Sequence, residues 1–432
     1  MEITQKSVAP PGESRVKLRS IARTFLCIGA SSFSLAALGE AEKWLTQKKK
    51  WFTAEEYFQG LGLAQVMPGA PTVNLFSYLG FRLRGLPGAA AAAVFFLIPS
   101  FLLMLLLSYL YFRYGELPLI LRLFHGLAAL VIGLVLNTIL NLWKSGVKTV
   151  FNRFMALTGF ALIFWFKMGI IKLLLIAGSA SLGMVLLTLR FPVLTRWTDT
   201  WSGLRKNSAI PVANAAAGCT DEAGFLLDYS PTPKPLDWPK LALLVLWLIL
   251  ILATDLVLIN LRPELMRMGR SFLQIGALTF GSGYAMLPFI QRAAVSHFGW
   301  ITDQQFAVAL AMSLITPGPV TIIGVFIGYK VGGLIGAVAG MVNMYFPAWA
   351  ITSVIAAPYA KLGQVVAVKK VIGGIVAAFI GTLLMVLIKL SANTLLDVPS
   401  VALAGGAFVA QRFAEIDTIW IVVGGALLSL VI

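Results

Sequence analysis

The chain has 432 residues, of which 59% are hydrophobic and 12% charged, and its net charge at pH 7 is +16. Soluble domains average about 25% charged residues, so this composition excludes a water-soluble globule. The excess of Lys and Arg is typical of membrane-protein loops and of attraction to anionic lipid, and we do not expect nucleic-acid binding. With two cysteines and two histidines, a metal site, a cofactor or a histidine-based catalytic centre is not expected.

A polar tail at residues 1–23 carries no cleavable signal and predicts a cytoplasmic N-terminus. It is followed by apolar blocks at about 24–40, 54–82, 87–113, 118–143, 150–166, 168–188, 240–260, 266–290, 303–330, 333–358, 366–390, 397–411 and 415–432. At about 20 residues for each crossing, the blocks predict an all-α integral membrane protein with about 13 crossings.

The sequence repeats itself at an offset of about 248 residues, which indicates an internal duplication. FLCIGASSF at 25–33 matches FLQIGALTF at 272–280, and MPGAPT at 67–72 matches TPGPVT at 316–321. YLGFRLRGLPGA at 78–89 matches FIGYKVGGLIGA at 326–337. We therefore predict two homologous repeats, at 24–188 and 266–432, separated at 189–265 by a polar linker and an unpaired transmembrane helix at 240–260.

The orientation of the repeats depends on how many blocks cross the membrane. If every block crosses, an odd number of crossings separates the repeats and inverts the second relative to the first. If the block at 54–82 is instead a re-entrant hairpin, the same count leaves the repeats parallel. A cytoplasmic N-terminus places most Lys and Arg inside, but it places the run Lys48, Lys49 and Lys50 on the wrong side. The expected fold is a pair of inverted repeats with broken helices.

A Pro-Gly break interrupts one apolar block in each repeat. Pro blocks the helical hydrogen-bond ladder and Gly accepts unusual dihedral angles, so a new helix begins inside the membrane. Its free N–H groups and positive dipole end suit an anion, and neighbouring hydroxyl and amide groups add donors. The predicted binding residues are Pro68, Gly69, Ala70, Thr72 and Asn74 in the first repeat, and Pro317, Gly318, Val320 and Thr321 in the second. The alternative is that both breaks are kinks repaired by neighbouring helices.

Two further groups of residues are secondary candidates. A second break, FGSGYAMLPF at 280–289, contains Gly281, Ser282 and Gly283, and its counterpart in the first repeat follows Ser31 and Ser32. These residues serve either helix packing or hydroxyl ligation. Arg82 and Lys330 occupy matching positions about 15–20 Å beyond the Pro-Gly breaks, where they either attract anions or anchor the helices at the interface.

The combination of FGSGYAMLPFIQ, GWIT, SLITPGPVT and FIGYKVGGLIGA resembles the chromate ion transporter family. The resemblance implies a multi-pass protein of the bacterial inner membrane, with two homologous domains, that carries chromate or its natural analogue sulfate. The first repeat departs from the family pattern, with FSLAALGE where FGG and Ala-His are usual and PGAP in place of PGP.

We therefore expect a secondary active transporter of an inorganic oxyanion, not an enzyme, acting by alternating access as an antiporter or symporter. The expected partners are the oxyanion, the lipid bilayer, a coupling ion such as a proton, and a second copy in a homodimer. One alternative is a transporter of another anion or small solute. Another is an integral-membrane enzyme acting on lipid-linked substrates, which needs clustered His, Asp or Arg at one membrane face.

Overall fold

The computed structural model describes residues 16–31, 36–115, 118–166, 168–190, 262–362 and 366–430. The first repeat contains α1 (Leu18–Ser31), α2 (Ala36–Glu42, continued by a π-helix at Lys43–Lys48), α3 (Ala54–Val66), α4 (Pro71–Tyr114), α5 (Pro118–Gly146), α6 (Val150–Phe166) and α7 (Ile170–Arg190). The predicted polar linker and the helix at 240–260 lie almost entirely outside the described residues.

The second repeat has the same order of elements. It contains α8 (Pro263–Leu278), a 3-10 turn (Gly283–Met286), α9 (Leu287–Gln291, continued by a π-helix at Arg292–His297), α10 (Asp303–Ile315), a 3-10 turn (Val320–Ile322), α11 (Ile323–Leu362), α12 (Val366–Thr394), α13 (Val398–Arg412) and α14 (Thr418–Ser429). The described part of the chain has no strand, and five of its helical segments are long and apolar enough to cross a membrane. The predicted all-α membrane fold is confirmed.

Helices α4 and α11 each fold back on themselves. Helical geometry is lost at Arg84 and Gly85, where Gly85 has φ 64° and ψ −151°, and likewise at Gly332 and Gly333. A residue with a side chain rarely adopts such a positive φ, which explains glycine at the second position of each reversal. Residues 71–83 and 86–114 therefore form an antiparallel pair, and so do residues 323–331 and 334–362.

Helix α3 is the other leg of a re-entrant hairpin. Its first turn is closed by a capping box between Thr53 and Glu56. Glu56 forms an ion pair of 2.9 Å with Arg82, close to the reversal in α4, so α3 begins at the level where the first part of α4 ends. Residues 54–83 thus enter the membrane and return to the same face, with the Pro68–Gly69 break at the tip.

The other broken blocks return in the same way. Arg84 donates to the carbonyl of Val16 at 3.3 Å, which holds the start of α1 beside the reversal in α4. Trp300 Nε1 donates to Glu264 at 3.0 Å, which brings the segment after α9 back to the start of α8. The predicted crossings at 24–40, 54–82, 266–290 and 303–330 are therefore wrong. A leg of 13 residues spans only about 20 Å, so each leg reaches the membrane interior and not the far side.

The two repeats enter from opposite faces. Face 1 is the face that holds Glu56 and Arg84, and face 2 is the face that holds Glu264 and the reversal at Gly332. The far end of residues 86–114 reaches face 2, because Phe112 stacks on Tyr329 at 6.0 Å and lies 5.1 Å from the Lys330 ammonium. A helix that starts at the reversal on face 1 thus ends beside the reversal on face 2, and the repeats are inverted.

Matched glycines confirm the pseudo-two-fold symmetry. The backbone at Gly133 lies against the carbonyl of Ala404, and that at Gly381 lies against the carbonyl of Ala156. At the repeat offset of 248 residues, Gly133 corresponds to Gly381 and Ala156 corresponds to Ala404, so the two contacts are the same contact with the repeats exchanged. Glycine is needed at both crossings because an added Cβ would overlap the facing carbonyl oxygen.

The re-entrant hairpins also change where the basic residues lie. Lys48, Lys49 and Lys50 end the return leg of the first hairpin and precede Thr53, so they lie on face 1, the face that holds Glu56 and Arg82. The run that contradicted the positive-inside rule under the crossing interpretation joins the other basic residues of the N-terminal side.

We expect a cysteine at position 49 and one at position 330 to be labelled from opposite sides of the membrane. Both native residues are exposed lysines near the reversals on face 1 and face 2. The measurement is labelling of Lys49→Cys and Lys330→Cys, in a Cys27→Ser, Cys219→Ser background, by an impermeant maleimide in intact cells and in inverted vesicles. Labelling of both positions from the same side would contradict the inverted arrangement.

Candidate functional site

The tips of the two Pro-Gly hairpins lie in the interior of the protein, each against a crossing helix of the other repeat. Gly69 has φ 111°, and an added Cβ would lie 2.8 Å from the Cβ of Ala348. Gly318 has φ 125°, and an added Cβ would overlap Ser100 Oγ, which donates to the carbonyl of Pro317. Ser100 and Ala348 each lie close to midway along their crossing helix. Both tips are therefore near the middle of the membrane.

The break at residues 279–282 lies between the two tips. Pro68 forms an isolated antiparallel bridge with Phe280, and Gly69 N–H donates to the carbonyl of Thr279 at 2.8 Å. At the other end of this break, an added Cβ at Gly283 would lie 3.7 Å from Thr321 Cγ2. The structure thus brings the predicted residues of both repeats to one central region.

Three helical segments start in this region, at Pro71, Gly283 and Val320. Neither the start at Pro71 nor the start at Val320 has a side-chain cap. The backbone N–H groups of Thr72, Val73, Val320 and Thr321 donate to no described residue. Exposed N–H groups and converging positive dipole ends favour a negatively charged ligand.

The two candidate threonines have different surroundings. Thr72 is half-buried, and its hydroxyl has no hydrogen-bond partner among the described residues. Thr321 is fully buried, and its Oγ1 lies 2.9 Å from the hydroxyl of Tyr345. The position of the first repeat that matches Tyr345 is Leu97, which has no hydroxyl. The site is therefore symmetric in its backbone and asymmetric in its side chains.

Asn74 holds the tip of the first repeat in place. Its Nδ2 donates to the carbonyls of Ala64 at 3.2 Å, Met67 at 3.4 Å and Pro68 at 3.1 Å. Its Oδ1 accepts from Thr352 at 3.2 Å. The whole amide is thus used in closing the break, so the structure gives this residue a positioning role. Pro68 likewise has an occupied carbonyl, and Ala70 is the buried residue that precedes α4.

The secondary candidates are distributed differently. Gly281 has φ 88°, and Ser282 caps the 3-10 turn by accepting from Tyr284 N–H at 3.3 Å, so both shape the central break. Ser31 donates to the carbonyl of Cys27 at 2.9 Å at the end of α1, and Ser32 lies outside the described residues. Arg82 and Lys330 lie at face 1 and face 2, one hairpin leg away from the tips, where Arg82 pairs with Glu56 and Lys330 lies over the Phe112 ring.

Comparison with known families agrees with this architecture. The family described as chromate transporter matches residues 19–184 and 266–430, which are the two halves that the symmetry relates. The chain belongs to the chromate transporter family. A chromate transport protein of Cupriavidus metallidurans is 30% identical over 96% of this chain and 93% of its own length.

Other members of the chromate transporter family show comparable similarity. A probable chromate transport protein of Synechococcus elongatus is 30% identical over 89% of this chain and 87% of its own length. A chromate transport protein of Pseudomonas aeruginosa is 26% identical over 95% of this chain and 88% of its own length. No solved structure matches the chain.

Three residues that contact the candidate site were not predicted from the sequence. Ser100, Tyr345 and Thr352 each bond to a residue of one of the hairpins that carry the tips. A signal was available for two of them, because Ser100 follows Pro99 and Tyr345 precedes Pro347, and these prolines match in the repeat. Their partners were not predictable, because Ser100 and Thr352 bond across the two repeats.

Proposed function

We propose that the protein is a secondary active transporter of an inorganic oxyanion, chromate or a sulfate-like ion. The ion binds near the middle of the membrane between the two Pro-Gly tips. Its ligands are the free N–H groups that follow Pro71 and Pro319 and the hydroxyls of Thr72 and Thr321. The proposal is supported most by the unpaired N–H groups at two inverted helix starts in the protein interior, because such donors need an acceptor away from water.

Backbone donors suit a carrier that must release its ion. A buried ion pair between the oxyanion and an arginine is a strong, charge-assisted interaction and opens slowly. Neutral donors at helix starts hold the ion more weakly, and no proton has to be gained or lost when the ion leaves. Inverted repeats around a midplane site are also the usual arrangement for alternating access.

Alternating access would arise if the two repeats, which have different conformations in this structure, exchanged those conformations. The hydroxyl of Thr72 is on a half-buried residue, whereas that of Thr321 is on a fully buried one. When Thr72 becomes buried and Thr321 becomes partly exposed, the site closes to one face of the membrane and opens to the other. The basic residues on face 1 favour its placement in the cytoplasm of a bacterial inner membrane, with the N-terminus inside.

Uptake by proteoliposomes tests the function. We expect the purified protein to drive saturable uptake of labelled chromate or sulfate, at a rate that a pH gradient changes if a proton is the coupling ion. Empty liposomes are the control for leakage. Absence of uptake of either oxyanion in both orientations and with both gradients would contradict the proposal and favour transport of another solute.

Tyr345→Phe should weaken oxyanion binding about two- to tenfold, the net value of about 0.5–1.5 kcal/mol for one hydrogen bond. The Tyr345 hydroxyl lies 2.9 Å from Thr321 Oγ1. If it donates there, it directs the Thr321 proton towards the ion. The measurement is the KM for uptake. Tyr111→Phe is the matched control, because the Tyr111 ring packs against Phe124 and Phe326 near face 2, away from the tips. An unchanged KM in Tyr345→Phe would exclude this positioning role.

A further inference from the structure

Arg292 lies along the chain between the central break and the return of the chain to face 2. It is the first residue of the π-helix that continues α9, and it follows the helix start at Gly283 by nine residues, or about 13 Å at helical rise. The chain then runs on to Trp300, which contacts Glu264 at face 2. Arg292 is thus the basic residue of this return leg that lies inside the membrane.

The guanidinium of Arg292 is partly removed from solvent without a protein partner. Its Nη1 is buried and donates to no acceptor, and the side chain forms no ion pair with any described residue. A buried charged donor without an acceptor is strongly unfavourable. An arginine within a membrane protein is therefore expected to contact an anion or a water-filled path for part of its working cycle.

The carboxylate of Asp303, at the start of α10 just beyond this leg, is bonded to amide groups. Asp303 accepts from Gln291 Nε2 at 2.6 Å and from Asn393 Nδ2 at 3.2 Å. One turn beyond Arg292, Ser296 accepts from Lys389 Nζ at 3.1 Å, which adds a second cation on the same face of the leg. Arg292 and Lys389 thus bring two cationic side chains to this leg, and Asp303 forms no ion pair with the guanidinium among the described residues.

The direction of the leg favours a side chain that leans towards the central break. Side chains of a helix lean towards its N-terminus, which for this leg is the central break at Gly283. A π-helix also occurs at the matching place of the first repeat, where it begins with Lys43. Such π-helices are frequent at functional sites. Lys43 differs from Arg292, because it is exposed and lies 3.7 Å from Glu40. A partly buried, unpaired cation at the start of the π-helix is therefore found on the side of face 2 and not at the matching position on the side of face 1.

We propose that Arg292 forms a second, transient oxyanion station between the central site and face 2. This inference rests on the proposed transport of an oxyanion and adds a place where the ion is held by a charged side chain. The guanidinium attracts the ion from face 2 and transfers it to the neutral donors at the helix starts. Capture of the ion by the guanidinium and its binding by the neutral donors are thus separate steps.

Uptake measured separately from each face tests the station. We expect Arg292→Gln to raise the KM for uptake from face 2 by about tenfold or more, the usual effect of losing a charge-assisted hydrogen bond. The KM from face 1 should change less than about twofold. Arg292→Lys keeps the charge and should recover part of the loss. Arg267→Gln is the matched control, because Arg267 is an exposed arginine near face 2 that pairs with Glu264 at 2.7 Å.

Three results would overturn the station. The first is an Arg292→Gln variant that behaves like the Arg267→Gln control. The second is an equal loss of uptake from both faces together with a lower unfolding temperature, which would show a structural role. The third is Arg292→Lys behaving like Arg292→Gln on both measurements. If the unaltered protein carries no oxyanion, the proposed function itself fails, and that outcome is distinct from wild-type transport with an inert Arg292.

Discussion

Replacement of Gly318 by alanine should abolish measurable oxyanion uptake. Gly318 has φ 125°, a conformation that residues with a side chain rarely adopt, and the added Cβ would overlap Ser100 Oγ. The backbone strain alone is about 1–3 kcal/mol. Relief of the overlap requires the tip to move away from the crossing helix. Because the free N–H groups of Val320 and Thr321 follow directly, their alignment around the ion would be lost.

The measurement is uptake into proteoliposomes, with size-exclusion chromatography and the unfolding temperature as checks on folding. Gly69→Ala is the matched variant of the other tip and should have a similar effect, because an added Cβ there would lie 2.8 Å from that of Ala348 at φ 111°. Gly183→Ala is the control, since nothing lies within 4 Å of an added Cβ at that position of α7. Normal uptake by folded Gly318→Ala would mean that the tip geometry is not needed for transport.

Thr321→Val and Thr72→Val should each reduce the affinity for the oxyanion about tenfold to a hundredfold. Valine keeps the shape of threonine and removes the hydroxyl donor. Loss of one hydrogen bond to a charged ligand costs about 1.5–3 kcal/mol. In Thr321→Val the hydroxyl of Tyr345 also loses its partner, so this variant should be the more severe of the two.

The measurement is the concentration dependence of uptake, with expression and the unfolding temperature recorded for each variant. Thr158→Val is the control, because Thr158 lies on α6 and bonds only to the carbonyl of Phe154 at 2.8 Å. We expect this control to retain its KM. If both site variants also retain it, the breaks act as hinges for alternating access and the ion binds elsewhere.

The architecture was predictable from the sequence where the repeat carried the information. The constant offset predicted the duplication, and the paired prolines and glycines predicted both tips. The return of each hairpin was not predictable from hydropathy. An apolar block that forms a hairpin with two legs of about 13 residues has the same composition as a block that forms one kinked crossing helix. The basic run at Lys48–Lys50 was the available signal, since it lies on the expected side only when the hairpins return to face 1.

The backbone geometry of the candidate site was predictable from the sequence, and its side-chain contacts were less so. The helix starts after Pro71 and Pro319 follow from local dihedral preferences, which a sequence reveals. The use of Asn74 as a clamp depends on Thr352 of the other repeat, and the burial of Arg292 depends on how its hairpin folds. Such contacts arise from tertiary packing and leave no local pattern in a single sequence.

Equilibrium binding of labelled chromate or sulfate to the purified protein tests the central site most directly. The account predicts about one ion for each chain, with Kd raised about tenfold to a hundredfold by Thr72→Val and by Thr321→Val, and further by the double variant. If the double variant binds the ion with the same Kd as the unaltered protein, a site between the two tips is contradicted.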